Sequence, residues 1–187
     1  MKITLVRHGD VDEAYHHCYN GHIDIGLSQK GKEQAQALAK RFESASFDYV
    51  FCSDLLRARE TLAPFKQAKE AIYTDRLREK SWGRHEGMCF DAIVAEDNIV
   101  YANFTQWLET LDGEGLKEYI ARVESFFLED LLSLEAEDIL IVTHAGVIRV
   151  LMAIVQKISL ETAFSKALPY GSFVVFDTKK QTFSTVK

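Results

Sequence analysis

Asp138 to Thr143 reads DILIVT, an apolar run with polar residues only at its ends. A strand that is apolar at successive positions must bury both faces, as strands do in parallel sheets covered by helices on either side. The opening residues, MKITLVRHGD, have the same character: Lys2 to Val6 reads as a short buried strand that stops at Arg7-His8-Gly9. The DILIVT run stops at His144-Ala145-Gly146, and a helical pattern begins at once and continues to about Val155. In open α/β sheets, ligands bind beyond the carboxyl ends of the strands. Two such strands, each ending in an imidazole, constrain the chain to an α/β sheet and mark one edge of it for chemistry. Gly9 lets the backbone turn sharply there and approach a small anion.

The rest of the pattern agrees. Ser28 to Ser44 is a predicted helix, because Ala35, Leu38, Ala39 and Phe42 fall on one stripe and Ser28 can cap it. Tyr49 to Cys52 reads as a strand, after which Ser53 or Asp54 caps a helix from Leu55 to about Ala63, stopped by Pro64. Ala71-Ile72-Tyr73 is a short strand, and residues 75–97 read as irregular, with turn signals at Gly83 and Gly87. Ile99 to Leu108 reads as a helix, broken by Asp112-Gly113-Glu114-Gly115. Leu116, Ile120, Val123, Phe127 and Leu131 then hold the apolar face of one long amphipathic helix. Ser172 to Asp177 and Thr182 to Val186 look like a closing antiparallel pair. This alternation predicts an α/β three-layer sandwich, a mostly parallel central sheet flanked by helices, in one domain over 1–187.

Composition narrows the function classes. The chain has 187 residues, 47% of them apolar and 27% charged, as in a soluble globular protein. A net charge of −6 argues against a nucleic-acid binder but leaves room for a small anionic substrate. Cys18, Cys52 and Cys89 are odd in number and form no CxxC pair, so they read as free thiols in a reducing cytoplasm, with Cys52 in the core. The expectation is a chain without a signal peptide. The most apolar stretch, Ile139 to Val155, is shorter than a membrane span and interrupted by Thr143, His144 and Arg149, so no membrane segment is assigned. The polar connection over residues 10–27 is long enough to be functional. Its His16, His17 and His22 fit no common ligand spacing, so neither metal nor cofactor is assigned.

What carries chemistry is convergence. A lone histidine at a strand end is usually structural, and Arg57 could simply pair with Asp54 on its own helix. Yet His8, His144, Arg7 and Arg57 all fall at the same sheet edge, together with two helix starts that offer free N–H groups. Two guanidinia and two imidazoles suit a phosphoryl group.

The chain resembles the histidine phosphatase superfamily, the phosphoglycerate mutase-like proteins, over essentially its whole length. The motifs are LVRHG at 5–9, Gly21-x-x-Asp24-x-x-Leu27-Ser28-x-x-Gly31, Ser53-Asp54-Leu55-Leu56-Arg57-Ala58-x-x-Thr61, Leu77-Arg78-Glu79 with Gly83 and Glu86-Gly87, and Val142-Thr143-His144-Ala145-Gly146. The resemblance implies that His8 is a nucleophile forming a phosphohistidine, a route that splits one hard displacement into two. It implies that Arg7 and Arg57 clamp the phosphate with paired hydrogen bonds, and that His144 stabilises the phosphoryl group in flight. Glu79 matches the general acid, with Glu86 as its rival. Gly9, Asn20, Gly21 and Ala145 match substrate-contacting positions. Two positions depart from the pattern of many relatives: Asp10 stands for Glu and Ala14 for Asn, which shortens one acid and removes one phosphate hydrogen bond.

The modest insertion at about 80–115 resembles a small cap and favours hydrolysis over mutase-type phosphoryl transfer. The nearest likeness is to the α-ribazole phosphatase group, through Tyr19-Asn20-Gly21-His22, Ser46 to Ser53, Asp112 to Gly115 and Arg122 to Phe126. This implies a cytoplasmic phosphomonoesterase, monomer or homodimer, acting on a small phosphorylated substrate such as α-ribazole 5′-phosphate in cobalamin synthesis. A broad-specificity phosphatase, phosphoglycerate mutase-type phosphoryl transfer and a catalytically silent phosphoryl-binding module are the alternatives.

Overall fold

The computed structural model describes residues 1–97 and 99–185. Its strands are β1 (Lys2–Arg7), β2 (Tyr49–Ser53), β3 (Ile72–Thr74), β4 (Asp138–Thr143), β5 (Phe173–Asp177) and β6 (Thr182–Thr185), in the spatial order β3-β2-β4-β1-β5-β6. The first four run parallel, while β5 and β6 are antiparallel to their neighbours. The helices are α1 (Gln29–Arg41), α2 (Leu56–Leu62), α3 (Phe90–Asp97), α4 (Phe104–Thr110), α5 (Leu116–Glu124), α6 (Ala145–Gln156) and α7 (Leu160–Phe164).

Alternate strand residues feed two cores. Val6, Val50, Cys52, Leu140 and Val142 pack with Leu38 of α1 and Ala58 and Leu62 of α2. Ile3, Leu5, Phe51, Ile139 and Ile141 pack on the other face with Val123 of α5 and Val147 and Leu151 of α6. The result is the expected three-layer sandwich, and it explains why β1 and β4 are apolar at successive positions.

The topology places the site. From β1 the chain crosses past β4 to reach β2, and from β4 it crosses past β1 to reach β5. Neighbouring strands thus send their chains in opposite directions, which opens a crevice at their carboxyl ends. The register pairs Arg7 with Thr143. His8 and His144 therefore leave the sheet side by side, and the His8 N–H donates to the Thr143 carbonyl at 3.0 Å.

Several local expectations need correction. The Ser28 hydroxyl caps α1 as expected, accepting from the Gly31 N–H at 3.0 Å. At α2 neither Ser53 nor Asp54 is the cap residue: Leu55 is, with no side-chain bond of its own, and Asp24 accepts the Leu56 N–H at 2.7 Å. A distant carboxylate thus ties the 10–27 loop to the start of α2. Residues 75–97 are more ordered than expected, with 3-10 turns at Asp75–Leu77 and Gly83–His85 and then α3. The helix expected over 99–108 begins only at Phe104, where the Asn103 side chain accepts the Gln106 N–H at 3.0 Å. The long helix from Leu116 keeps its buried stripe but leaves α geometry at Ser125, continuing as a π-helical turn to Asp130 and a 3-10 turn to Ser133. The short helix α7 was not expected. Val186, the end of the expected last strand, lies outside the described residues.

Cys18 and Cys89 are not free thiols. They form a disulfide across a sequence separation of 71, where their backbones meet in an antiparallel bridge. The fold makes this pair: the Tyr19 N–H donates to Met88 O at 2.8 Å and the Gly87 N–H to Tyr19 O at 3.0 Å. Cys52 is free and buried. The cysteines therefore give no ground for a reducing compartment. Among the described residues no helix is long and apolar enough to cross a membrane.

Candidate active site

A cavity of about 160 Å³ lies at the crevice, with Arg7, His8, Asn20, Arg57, Glu79 and Ala145 on its wall. His144 sits behind His8, only 1% exposed, with the two rings 5.1 Å apart. Gly9 and Gly21 act through their backbones. The Gly9 N–H donates to Thr61 Oγ1 at 2.9 Å, and a Cβ on Gly9 would stand 2.6 Å from the Gly31 carbonyl oxygen. A Cβ on Gly21 would stand 2.0 Å from the Lys80 carbonyl oxygen.

Its hydrogen-bond partner fixes the tautomer of His8. His8 Nδ1 lies 2.8 Å from the Gly9 carbonyl, which can only accept, so Nδ1 carries the proton and Nε2 keeps its lone pair. Burial, then Arg57 and Arg7, push the His8 pKa well below the usual range, so the ring is neutral at pH 7. His144 Nε2 lies 2.8 Å from Ser53 Oγ, which already accepts the Leu55 N–H at 3.4 Å. A hydroxyl can both donate and accept, so Ser53 holds the ring through Nε2 in either tautomer, while Nδ1 is buried without a partner. Burial and Arg57 depress the pKa of His144 as well. One neutral ring thus offers a lone pair, and its neighbour leaves Nδ1 unpartnered.

The arginines are pinned. Arg57 Nη1 donates to Ile23 O at 2.9 Å, and Nη2 to Asn20 O at 3.0 Å and Gly21 O at 2.7 Å. Burial brings its pKa down to about 10, which keeps it charged at neutrality. Arg7 donates to Leu168 O at 2.5 Å and lies 3.7 Å from the centre of the Tyr170 ring. The Nε atoms of both guanidinia are buried without partners. Thr61 donates to the Arg57 carbonyl at 2.6 Å while accepting from Gly9, so it ties the end of β1 to α2. Asp54, the rival partner for Arg57, instead takes a bidentate pair from Arg78 at 2.7 and 2.5 Å.

The two acids separate cleanly. Glu79 Oε1 accepts from the Tyr119 hydroxyl at 2.5 Å and Oε2 from the Gly146 N–H at 2.8 Å. Glu86 is off the cavity wall and accepts four backbone N–H groups: Gly21 at 2.9 Å, His22 at 2.7 Å, Ile23 at 3.1 Å and Trp82 at 2.9 Å. Glu86 shapes the loop whose carbonyls hold Arg57. The helix starts give less than expected to an incoming anion, because the Leu56 and Gly146 N–H groups already serve Asp24 and Glu79.

The sequence reading missed Lys80, Trp82, Tyr119, Arg149 and Tyr170, all on the cavity wall. Arg149 showed only as a break in an apolar run, although it lies one helical turn beyond Ala145 on the same face. The loop histidines go separate ways: His16 Nε2 is 3.0 Å from Asp10 Oδ1, His22 Nε2 is 3.1 Å from the Glu79 carbonyl, and His17 is exposed. Asp10 is buried and also accepts from the Ser28 hydroxyl at 3.1 Å, while Ala14 is exposed and off the cavity wall.

The profile of the histidine phosphatase superfamily, branch 1, matches residues 3–187. A Schizosaccharomyces pombe protein named as a probable phosphatase is 34% identical over 156 residues, 81% of this chain and 71% of its own length. The adenosylcobalamin/α-ribazole phosphatase of Escherichia coli is 29% identical over 193 residues, covering 100% of this chain and 94% of its own. The crystal structure of the α-ribazole phosphatase from Shigella flexneri superposes with a TM-score of 0.84 at 27% identity, covering 100% of this chain and 95% of that one. A likeness of this extent, in sequence and in fold, means that the chain belongs to branch 1 of the histidine phosphatase superfamily and is a phosphatase.

Proposed function

We propose that this phosphatase hydrolyses small phosphate monoesters by passing the phosphoryl group through Nε2 of His8. Arg7 and Arg57 receive the dianion, matching its oxygens with guanidinium N–H groups. The lone pair on His8 Nε2 forms a bond to phosphorus as the bond to the ester oxygen breaks. Glu79 gives that oxygen a proton, and its carboxylate then takes one from the water that cleaves the P–N bond. His144 Nδ1–H donates to the phosphoryl oxygens as charge builds on them. The observation that carries this reading is the fixed tautomer of His8, a neutral ring with its lone pair held beside two guanidinia.

Hydrolysis of p-nitrophenyl phosphate tests it. The expected result is turnover unaffected by EDTA, a phosphoenzyme stable to alkali and labile to acid, and loss of on the order of 10³-fold or more in His8→Ala. Unimpaired hydrolysis by His8→Ala rejects the mechanism. Kinship to the α-ribazole phosphatases makes α-ribazole 5′-phosphate one candidate substrate, and equal kcat/KM for it and for simple sugar phosphates would remove that candidate.

A further inference from the structure

Four cationic side chains line the cavity, Arg7, Arg57, Lys80 and Arg149, against the single carboxylate of Glu79. Lys80 is spent locally: its Nζ donates to the carbonyls of Ser81 at 3.1 Å and Asp112 at 3.4 Å and lies over the Trp82 ring. Arg7 and Arg57 match the charge of a phosphate monoester near neutrality. Arg149 remains. Its Nη2 donates to Lys166 O at 3.0 Å, its Nε is buried without a partner, and it enters none of the ion pairs among the described residues. The Glu79 charge acts on it without a contact ion pair, and a ligand bearing an anion gives this partly buried guanidinium a direct partner.

Its position says which part of a ligand that is. Arg149 lies beside Phe164, with the guanidinium 5.5 Å from the ring centre. It stands three residues beyond Gly146 on the same face of α6, and the Gly146 N–H holds Glu79 Oε2 at 2.8 Å, so Arg149 and Glu79 share one side of the cavity. In the proposed mechanism Glu79 marks the side on which the ester oxygen departs, so Arg149 stands on the leaving-group side. The cavity, about 160 Å³ and open to solvent on one side, holds the phosphoryl group and the first few atoms of the leaving group.

We infer that Arg149 is a specificity-determining residue that receives a second anionic group, a carboxylate or a second phosphate, carried on the leaving group a few bonds from the phosphoester. The inference rests on the proposed reading of this cavity as the phosphoryl-transfer site. A substrate with an uncharged leaving group, α-ribazole 5′-phosphate included, leaves Arg149 unmatched and ranks lower.

Matched esters test it. Glycerol 3-phosphate and 3-phosphoglycerate differ by a hydroxymethyl against a carboxylate, and fructose 6-phosphate and fructose 1,6-bisphosphate by a second phosphate. In the wild-type enzyme, kcat/KM is expected to favour the anionic member of at least one pair, and the pair that responds identifies the anion. Arg149→Gln is expected to lower that preference about 10- to 100-fold, mainly through KM, with Arg149→Lys in between. An unchanged preference in Arg149→Gln, an equal loss on every ester, or a wild-type preference for the neutral member of both pairs overturns the inference. Should Arg149→Gln fail to fold, Arg149→Lys carries the same test: a shifted preference supports the inference and a uniform change overturns it. Full activity in His8→Ala is a separate failure, since it defeats the reading of the cavity itself.

Discussion

Glu79 Oε1 lies 2.1 Å from where the first side-chain carbon at position 146 would stand, so its seat depends on Gly146 having none. The atoms in the way are side-chain ends, the Glu79 carboxylate and then the Tyr119 hydroxyl at 2.7 Å, so a methyl group there displaces the carboxylate and its partner while leaving the backbone alone. Gly146→Ala is therefore expected to melt within a few degrees of wild type, helped by the better helix propensity of alanine. Its kcat on p-nitrophenyl phosphate should still fall on the order of 10²-fold, the usual worth of a positioned acid or base. Equal activity with a normal melt would remove Glu79 from the reaction. At this scale the sequence exposes what local position determines: a histidine that ends a buried strand, an arginine in a first helical turn. It hides what depends on remote partners. The His144 ring is held by Ser53, 91 residues away, and the Glu79 seat by Tyr119, 40 residues away.

Among the elements, the stretch from Asn20 to Asp24 carries most of the burden. Its carbonyls hold Arg57, its Asp24 caps α2, and its N–H groups converge on Glu86. Glu86→Ala would leave several backbone donors unpaired at once. The expected cost is roughly 3 kcal/mol of stability, read by urea unfolding, with a loss of phosphatase activity that arises through Arg57. A variant as stable and active as wild type would show that the loop holds its shape without that carboxylate. Strands and the helices of strong period were legible, because burial on both faces or along one stripe leaves a pattern at fixed spacing. The connections were not. α3 and the shifted start of α4 lie where the pattern is short, and the Cys18–Cys89 disulfide joins segments that only tertiary structure brings together.

For the molecule as a whole, two neutral imidazoles buried at its centre couple stability to pH. Their pKa values lie well below the usual range in the folded protein and return to about 6.5 when it unfolds. Below about pH 6.5 the unfolded chain therefore binds protons that the folded chain refuses. The stability these rings confer is full above that pH and is lost as pH falls, by about 1.4 kcal/mol per pH unit for each ring. Urea unfolding at pH 7, 6 and 5 should show this decline, with a shallower slope in His8→Gln; an identical slope would mean that His8 titrates normally. The carbonyl cradle around Arg57 has a different consequence. A grip immobilised before anything enters gives up no freedom on closing around a tetrahedral oxyanion. Liberated orthophosphate suits it as well as the next ester does, so the product is expected to linger and to inhibit competitively when added to the assay. On the proposed mechanism, emptying the site rather than breaking the bond is then expected to set the pace of turnover, which a burst of p-nitrophenol in the first turnover would reveal.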